Sequence, residues 1–196
     1  MEGKPPSART YHSAVAVGDD KIVYFGGNDS SKSFNAVHVL QKVEKKAGDA
    51  IWTWFHPCVV GAPPQERTGH SATLLSDGKI LIFGGWDPQR DDATAPTSVF
   101  NDAFLLDPQT WEWQAATFAD EGSAETALRG RVGHGAVLDR NGQLHLFGGQ
   151  NGAEQRLKDI CTATISQENV KALKPDEQVA DNGATSGLML FGLFVI

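Results

Sequence analysis

The sequence lacks a surplus of positive charge. Lys and Arg number 17 against 24 Asp and Glu, a formal net charge of −7 over 196 residues. Proteins that live on a nucleic-acid backbone carry a basic surplus, so the balance argues against that role. Cysteine is scarce. Cys58 and Cys161 stand far apart with no CxxC spacing, which argues against a disulfide framework and points to a reducing compartment, the cytoplasm. Long apolar runs are also missing. The one example, Gly187 to Ile196, would span about 15 Å as a helix, half of a ~30 Å hydrocarbon core. The opening MEGKPPSART is polar, without the apolar stretch of a signal peptide. We therefore expect no membrane span. Catalytic signatures are absent too: the chain has no Gly-x-Ser-x-Gly, no P-loop, no HExxH and no GxGxxG ahead of a helix.

Glycine is plentiful, at 21 residues, with no collagen period. Many glycines of this kind imply many tight turns and hence many short strands. They belong to a repeat. RTYHSAVAVGDDKIVYFGG (Arg9 to Gly27), RTGHSATLLSDGKILIFGG (Arg67 to Gly85) and RVGHGAVLDRNGQLHLFGG (Arg131 to Gly149) share one pattern. The arginine stands 17 positions before the first glycine of the doublet in every copy, and the copies step by 58 and then 64 residues. Each copy continues with a matched hexapeptide: Phe34 to Val39, Phe100 to Leu105 and, more weakly, Leu157 to Thr162. Paired tryptophans follow in two copies, Trp52 with Trp54 and Trp111 with Trp113. Asp19-Asp20, Asp77-Gly78 and Asn141-Gly142 are hairpin-turn residues that tolerate positive φ. In the first copy these signals predict strands over residues 12–17, 22–25, 36–40 and 51–55, with Gln41–Ala50 as a loop. No segment before residue 165 shows a helical apolar period.

Four short strands repeated about every sixty residues predict β-propeller blades. The pattern R-[TV]-x-H, an apolar run ending in Phe-Gly-Gly, then spaced tryptophans, resembles the kelch repeat. The expected fold is all-β: three four-stranded kelch blades over residues 5–62, 63–126 and 127–165, the third incomplete, in a ring not closed by this chain alone. Residues 166–196 form an atypical tail. Within it Asp181-Asn182-Gly183 and Leu188-Met189-Leu190-Phe191-Gly192 echo a turn and second strand, but Pro175 and Gln178 stand where the arginine and histidine belong. The tail reads as a degenerate fourth-blade strand or as the end of a truncated product.

The repeated positions read mainly as scaffold. Phe25, Phe83 and Phe147 fill the space between blades, and the tryptophans pack there as well. His12, His70 and His134 recur at one blade position with no carboxylate or cysteine recurring beside them, which favours hydrogen bonding over a metal site. No metal or cofactor is expected. Arg9, Arg67 and Arg131 begin strand one. The resemblance places that strand innermost, so they either form structural ion pairs or ring a channel mouth and hold an acidic group.

Function is expected where the repeat breaks. The loops between strands two and three share one face with the inter-blade links. The candidate partner-binding residues there are Asn28, Asp29, Trp86, Asp87, Arg90, Asp91, Asp92, Gln150 and Asn151. The 86–99 insertion carries net −2, which favours a partner with a basic surface. The resemblance implies a non-catalytic protein-interaction scaffold. The alternatives are a kelch-fold enzyme acting on a sugar or small molecule, or a propeller fragment. Three blades fall short of the four to eight that close a ring, so self-association is a further expectation.

Overall fold

Turn chemistry sets the hairpins. Between β1 (Ser13–Val17) and β2 (Lys21–Phe25) the chain reverses at Gly18, which has φ +63°. Between β9 (Gly135–Leu138) and β10 (Leu144–Phe147) the Asp139 carboxylate accepts from the Asn141 and Gln143 amides at 2.8 and 2.9 Å. Gly142 supplies the left-handed residue there, with φ +79°. The computed structural model describes residues 1–45, 48–88, 98–119 and 128–171, and only the backbone of 167–171.

The described chain is all-β. Blade one is a four-stranded antiparallel sheet in the order β1, β2, β3 (Val37–Glu44), β4 (Ala50–Phe55). Blade two repeats this with β5 (Ser71–Leu74), β6 (Ile80–Phe83), β7 (Ala103–Asp107) and β8 (Glu112–Phe118). Blade three holds β9, β10 and β11 (Ile160–Ala163). β1 lies against β5 and β5 against β9, so the first strands line the inner side of the array. Blade one's third strand runs further than the sequence predicts. Gln41 to Glu44 pair with Thr53 down to Ala50, so half of the expected 41–50 loop extends a hairpin.

Two apolar layers fill the joints between blades. Val15, Val17, Val23, Phe25, Val37 and Val39 of blade one meet Ile80, Ile82, Phe104, Leu106 and Trp113 of blade two. Leu81, Phe83, Ala103, Leu105 and Ala116 of blade two meet Leu144 and Leu146 of blade three. The central blade is therefore covered on both faces. Its β6, Ile-Leu-Ile-Phe, is buried at every position, whereas β1 alternates Val15 and Val17 in with Ala14 and Ala16 out.

The third repeat departs from the other two at its end. The stretch that begins the expected atypical tail is a strand, β12 (Ile165–Lys171), and it pairs with β8 of blade two, making that sheet five-stranded. Thr164 alone separates β11 from β12. A two-strand hairpin needs a loop of about two residues or more, so the chain crosses to the neighbouring edge instead of folding back. The Ala119 amide bonds the Thr164 carbonyl at 2.9 Å and fixes the crossing.

Candidate functional site

The recurring polar residues are consumed within the blades and at the joints between them. Arg67 is 0% exposed and reaches both oxygens of Asp102, at 2.6 and 2.9 Å, plus the Gly84 carbonyl at 3.0 Å. Arg131, also 0% exposed, reaches both oxygens of Asp159, at 3.3 and 3.0 Å, and the Gly148 carbonyl at 3.2 Å. Hydrogen bonding from Arg131 holds the Asp159 carboxyl below its usual range. Each arginine thus ties strand one, the glycine doublet and strand three of its own blade together. Arg9 differs. Ala36 stands at the position of Asp102 and Asp159, and the half-buried guanidinium bonds the Ser7 carbonyl and hydroxyl and the Gly26 carbonyl, 3.9 Å over the Phe34 ring.

The histidines act across blades. His70 Nε2 lies 2.8 Å from the Ser13 hydroxyl of blade one, and His134 Nε2 lies 2.9 Å from the Ser71 hydroxyl of blade two. Burial pushes both down, His70 to about 3 and His134 to about 4, so both are neutral bridging groups at pH 7. Among the described residues no three His, Cys, Asp or Glu side chains gather into a group able to hold a metal.

The residue that follows each doublet occupies one repeated place with three identities. Asn28 bridges Thr10 and Ser33 through its backbone, Trp86 bridges Thr68 and Val99, and Gln150 bridges Val132 and Arg156. All three side chains are half-buried on the edge that carries the two–three loops. The structure joins the first two loops. The Thr68 hydroxyl donates to Asn28 Oδ1 at 3.0 Å, and the Ser33 hydroxyl donates to Asp87 Oδ1 at 2.7 Å. Asp29 shapes its own loop, accepting from the Ser31 amide, Ser31 hydroxyl and Lys32 amide, and these bonds lower its pKa. Asn151 does the same in blade three through the Ala153 and Gln155 amides, both at 3.0 Å. Arg90, Asp91 and Asp92 lie outside the described residues. A cavity of about 350 Å³ opens at the opposite end, between the β5–β6 turn and the β11–β12 crossing, lined by Leu75, Asp77, Lys79 and Ile165 among others.

Asp102 and Asp159 are not among the candidates read from the sequence. Their signal was a carboxylate at the third position of two matched hexapeptides, at a place where the first copy has alanine.

The family model of the KLHDC2/KLHL20/DRC7 Kelch-repeats domain matches residues 1–127. The chain belongs to the kelch-repeat family. This kelch chain is 34% identical over 150 residues to acyl-CoA-binding domain-containing protein 5 of Arabidopsis thaliana, covering 76% of this chain and 20% of that one. It is 34% identical over 104 residues to the Rab9 effector protein with kelch motifs of Xenopus laevis, covering 53% and 25%. The chain therefore spans a quarter or less of the length of these curated relatives. Among solved structures, YjhT aligns with TM-score 0.58 at 16% identity over 86% of this chain and 46% of that one. A copper-bound fungal alcohol oxidase aligns with TM-score 0.54 at 17% identity, over 85% and 34%. Both likenesses show the propeller fold. No described helix is long and apolar enough to cross a membrane.

Proposed function

We propose that this kelch chain is a non-catalytic interaction scaffold that binds a protein partner through the two–three loops and inter-blade links. One observation carries the reading. The side chains that recur between blades are used up in packing and ion pairs, whereas the post-doublet place holds Asn28, Trp86 and Gln150 on one accessible edge. A scaffold that repeats its framework and varies one edge is built for recognition. Trp86 supplies the aromatic anchor. Asp87, with Arg90, Asp91 and Asp92 in the same insertion, gives that edge a negative balance suited to a basic partner surface. Cys58 and Cys161 are both free thiols, in keeping with action in the cytoplasm.

Crosslinking followed by mass spectrometry, with the wild-type chain and with Trp86→Ala/Asp87→Lys, tests this. A partner crosslinked to the 28–33 or 86–99 loops and lost at least tenfold from the variant is expected. Stoichiometric copper binding with alcohol or sugar turnover, or a partner indifferent to both substitutions, refutes it.

A further inference from the structure

The two joints within the chain are built from the same interlocking halves. One blade supplies a phenylalanine and a glycine doublet. The next supplies a histidine, an arginine carbonyl and, at the first joint, a tryptophan. Phe25 lies 5.2 Å from His70 and 5.1 Å from Trp113, and Phe83 lies 5.6 Å from His134. The Gly27 amide bonds the Arg67 carbonyl and the Gly85 amide bonds the Arg131 carbonyl, both at 2.9 Å. The Gly69 amide bonds the Tyr11 carbonyl at 3.1 Å, and the Gly133 amide bonds the Gly69 carbonyl at 2.8 Å.

Among the described residues both halves recur, open, on the outer faces. On blade three Phe147 is 46% exposed, against 3% for Phe25 and 0% for Phe83, and Val137 and Ile160 beside it are exposed as well. A Cβ at Gly26 or Gly84 would run into the next blade's arginine carbonyl at 2.8 or 2.5 Å. At Gly148 the nearest described atom is the Leu157 carbonyl of the same blade, 3.7 Å away. On blade one, His12 and Trp54 hold the places of His70 and Trp113. With Arg9, Tyr24 and His38 they line a cavity of about 270 Å³. Its His12 and Trp54 are the counterparts of the pair that holds Phe25, and the Tyr24 ring of the same blade lies 5.8 and 5.0 Å from them.

We propose that a second copy of this chain fills this cavity. Phe147 of each copy enters the His12/Trp54 socket of the other, and the Gly149 amide meets the Arg9 carbonyl across the joint. Two such joints close three and three blades into a six-bladed ring, a blade number within the range of known propellers and a closed two-fold assembly. One part differs from the internal joints. Gly135 stands where Ser13 and Ser71 hydrogen-bond the histidine, and the Phe147 ring lies back over it. A side chain at 135 forces the ring outward, toward its partner.

Light scattering coupled to size exclusion on the full chain, over a concentration series, tests the proposal. The expected mass is about twice the 21.1 kDa of one chain, falling to that of a monomer in Phe147→Asp and in His12→Asp. Gly135→Ser restores the serine and is expected to tighten the dimer several-fold. A monomer at every concentration, a dimer unmoved by both aspartate variants, or an open-ended polymer overturns the proposal. So does a monomer that Phe147→Asp merely destabilises, which would assign that face to the chain's own residues 172–196.

Discussion

Asp102→Ala isolates what the repeated arginine does. Arg67 is 0% exposed, and its two bonds to the carboxylate are the charge-neutralising part of its surroundings. The Gly84 and Gln65 carbonyls, at 3.0 and 3.1 Å, and the Phe100 ring at 4.4 Å remain after the substitution. Removing one partner of a fully buried pair costs about 3–5 kcal/mol, because a charge is left without compensation. The Asp102 side chain is 43% exposed, so water screens part of the pair and the expected loss is about 2–3 kcal/mol. For a chain of this length that lowers Tm by roughly 4–12 °C. Blade one provides the reciprocal change. Ala36→Asp places a carboxylate opposite Arg9, which is only half-buried, so its gain is at most ~1 kcal/mol. Urea denaturation of the wild type and both variants reads the two effects. If Asp102→Ala stays within about 0.5 kcal/mol of wild type, the arginine–aspartate pair is not what binds strand one to the doublet and strand three.

Acid weakens the fold through the bridging histidines. Their folded pKa values, about 3 for His70 and about 4 for His134, lie below the ordinary 6.5. The unfolded chain therefore binds more protons across that window. Stability is full above pH 6.5 and falls as pH drops toward 4. Denaturation midpoints measured from pH 7.5 to 4.5 check this. His70→Gln flattens the slope, and an unchanged slope contradicts the assignment. Gly84→Ala and Gly148→Ala form a matched pair, since both glycines have positive φ, +66° and +67°. Both variants bear the left-handed strain of about 1–2 kcal/mol. Gly84→Ala alone also drives a Cβ against the Arg131 carbonyl and His134 of the next blade. It unfolds at clearly lower urea than Gly148→Ala, and equal midpoints would show that the doublet does not make the joint.

The blades were legible because their signals are local. The Arg-to-Gly spacing, the turn residues and the two-residue alternation of Val15 and Val17 each act within a few positions, and the structure places β1 through β8 on them. Contacts between repeats were not legible. His12, His70 and His134 recur visibly, yet nothing in one copy says that its histidine bonds the serine of the copy before. The aspartates were overlooked because Asp102 and Asp159 recur in only two copies, and the pairing that explains them spans 35 and 28 residues. The path of β12 depends on the single residue Thr164 between two strands, a feature of length and not of composition. For the candidate site, the insertions in the sequence pointed to the loops between strands two and three. They did not separate Asp29 and Asn151, which shape their own loops, from Trp86 and Gln150, which meet the edge as side chains on bridged backbone.

The departures from the repeat gather on the two outer faces, and this bears on how a second copy would bind. Blade two presents Ile82 and Phe104 to one joint and Leu81 and Leu105 to the other. On the outer face of blade one, Tyr24 stands in the place of Ile82 and His38 in that of Phe104. Burial and the nearby His56 push His38 down to about 4, so it is neutral at pH 7 but remains polar. On the outer face of blade three, Asp139 stands in the place of Leu75, His145 in that of Leu81 and Thr162 in that of Leu105. They bond one another, His145 reaching Asp139 at 3.2 Å and Thr162 at 3.1 Å, so they enter a joint with their polar demands partly met. A face of this kind tolerates water better than the internal joints, and it buries less apolar surface when it closes. The joint between copies should therefore open before the blades unfold. On dilution the chain passes from dimer to folded monomer with its far-ultraviolet dichroism unchanged. Loss of strand signal in step with loss of the dimer would show instead that the outer faces, like the internal ones, are needed for folding.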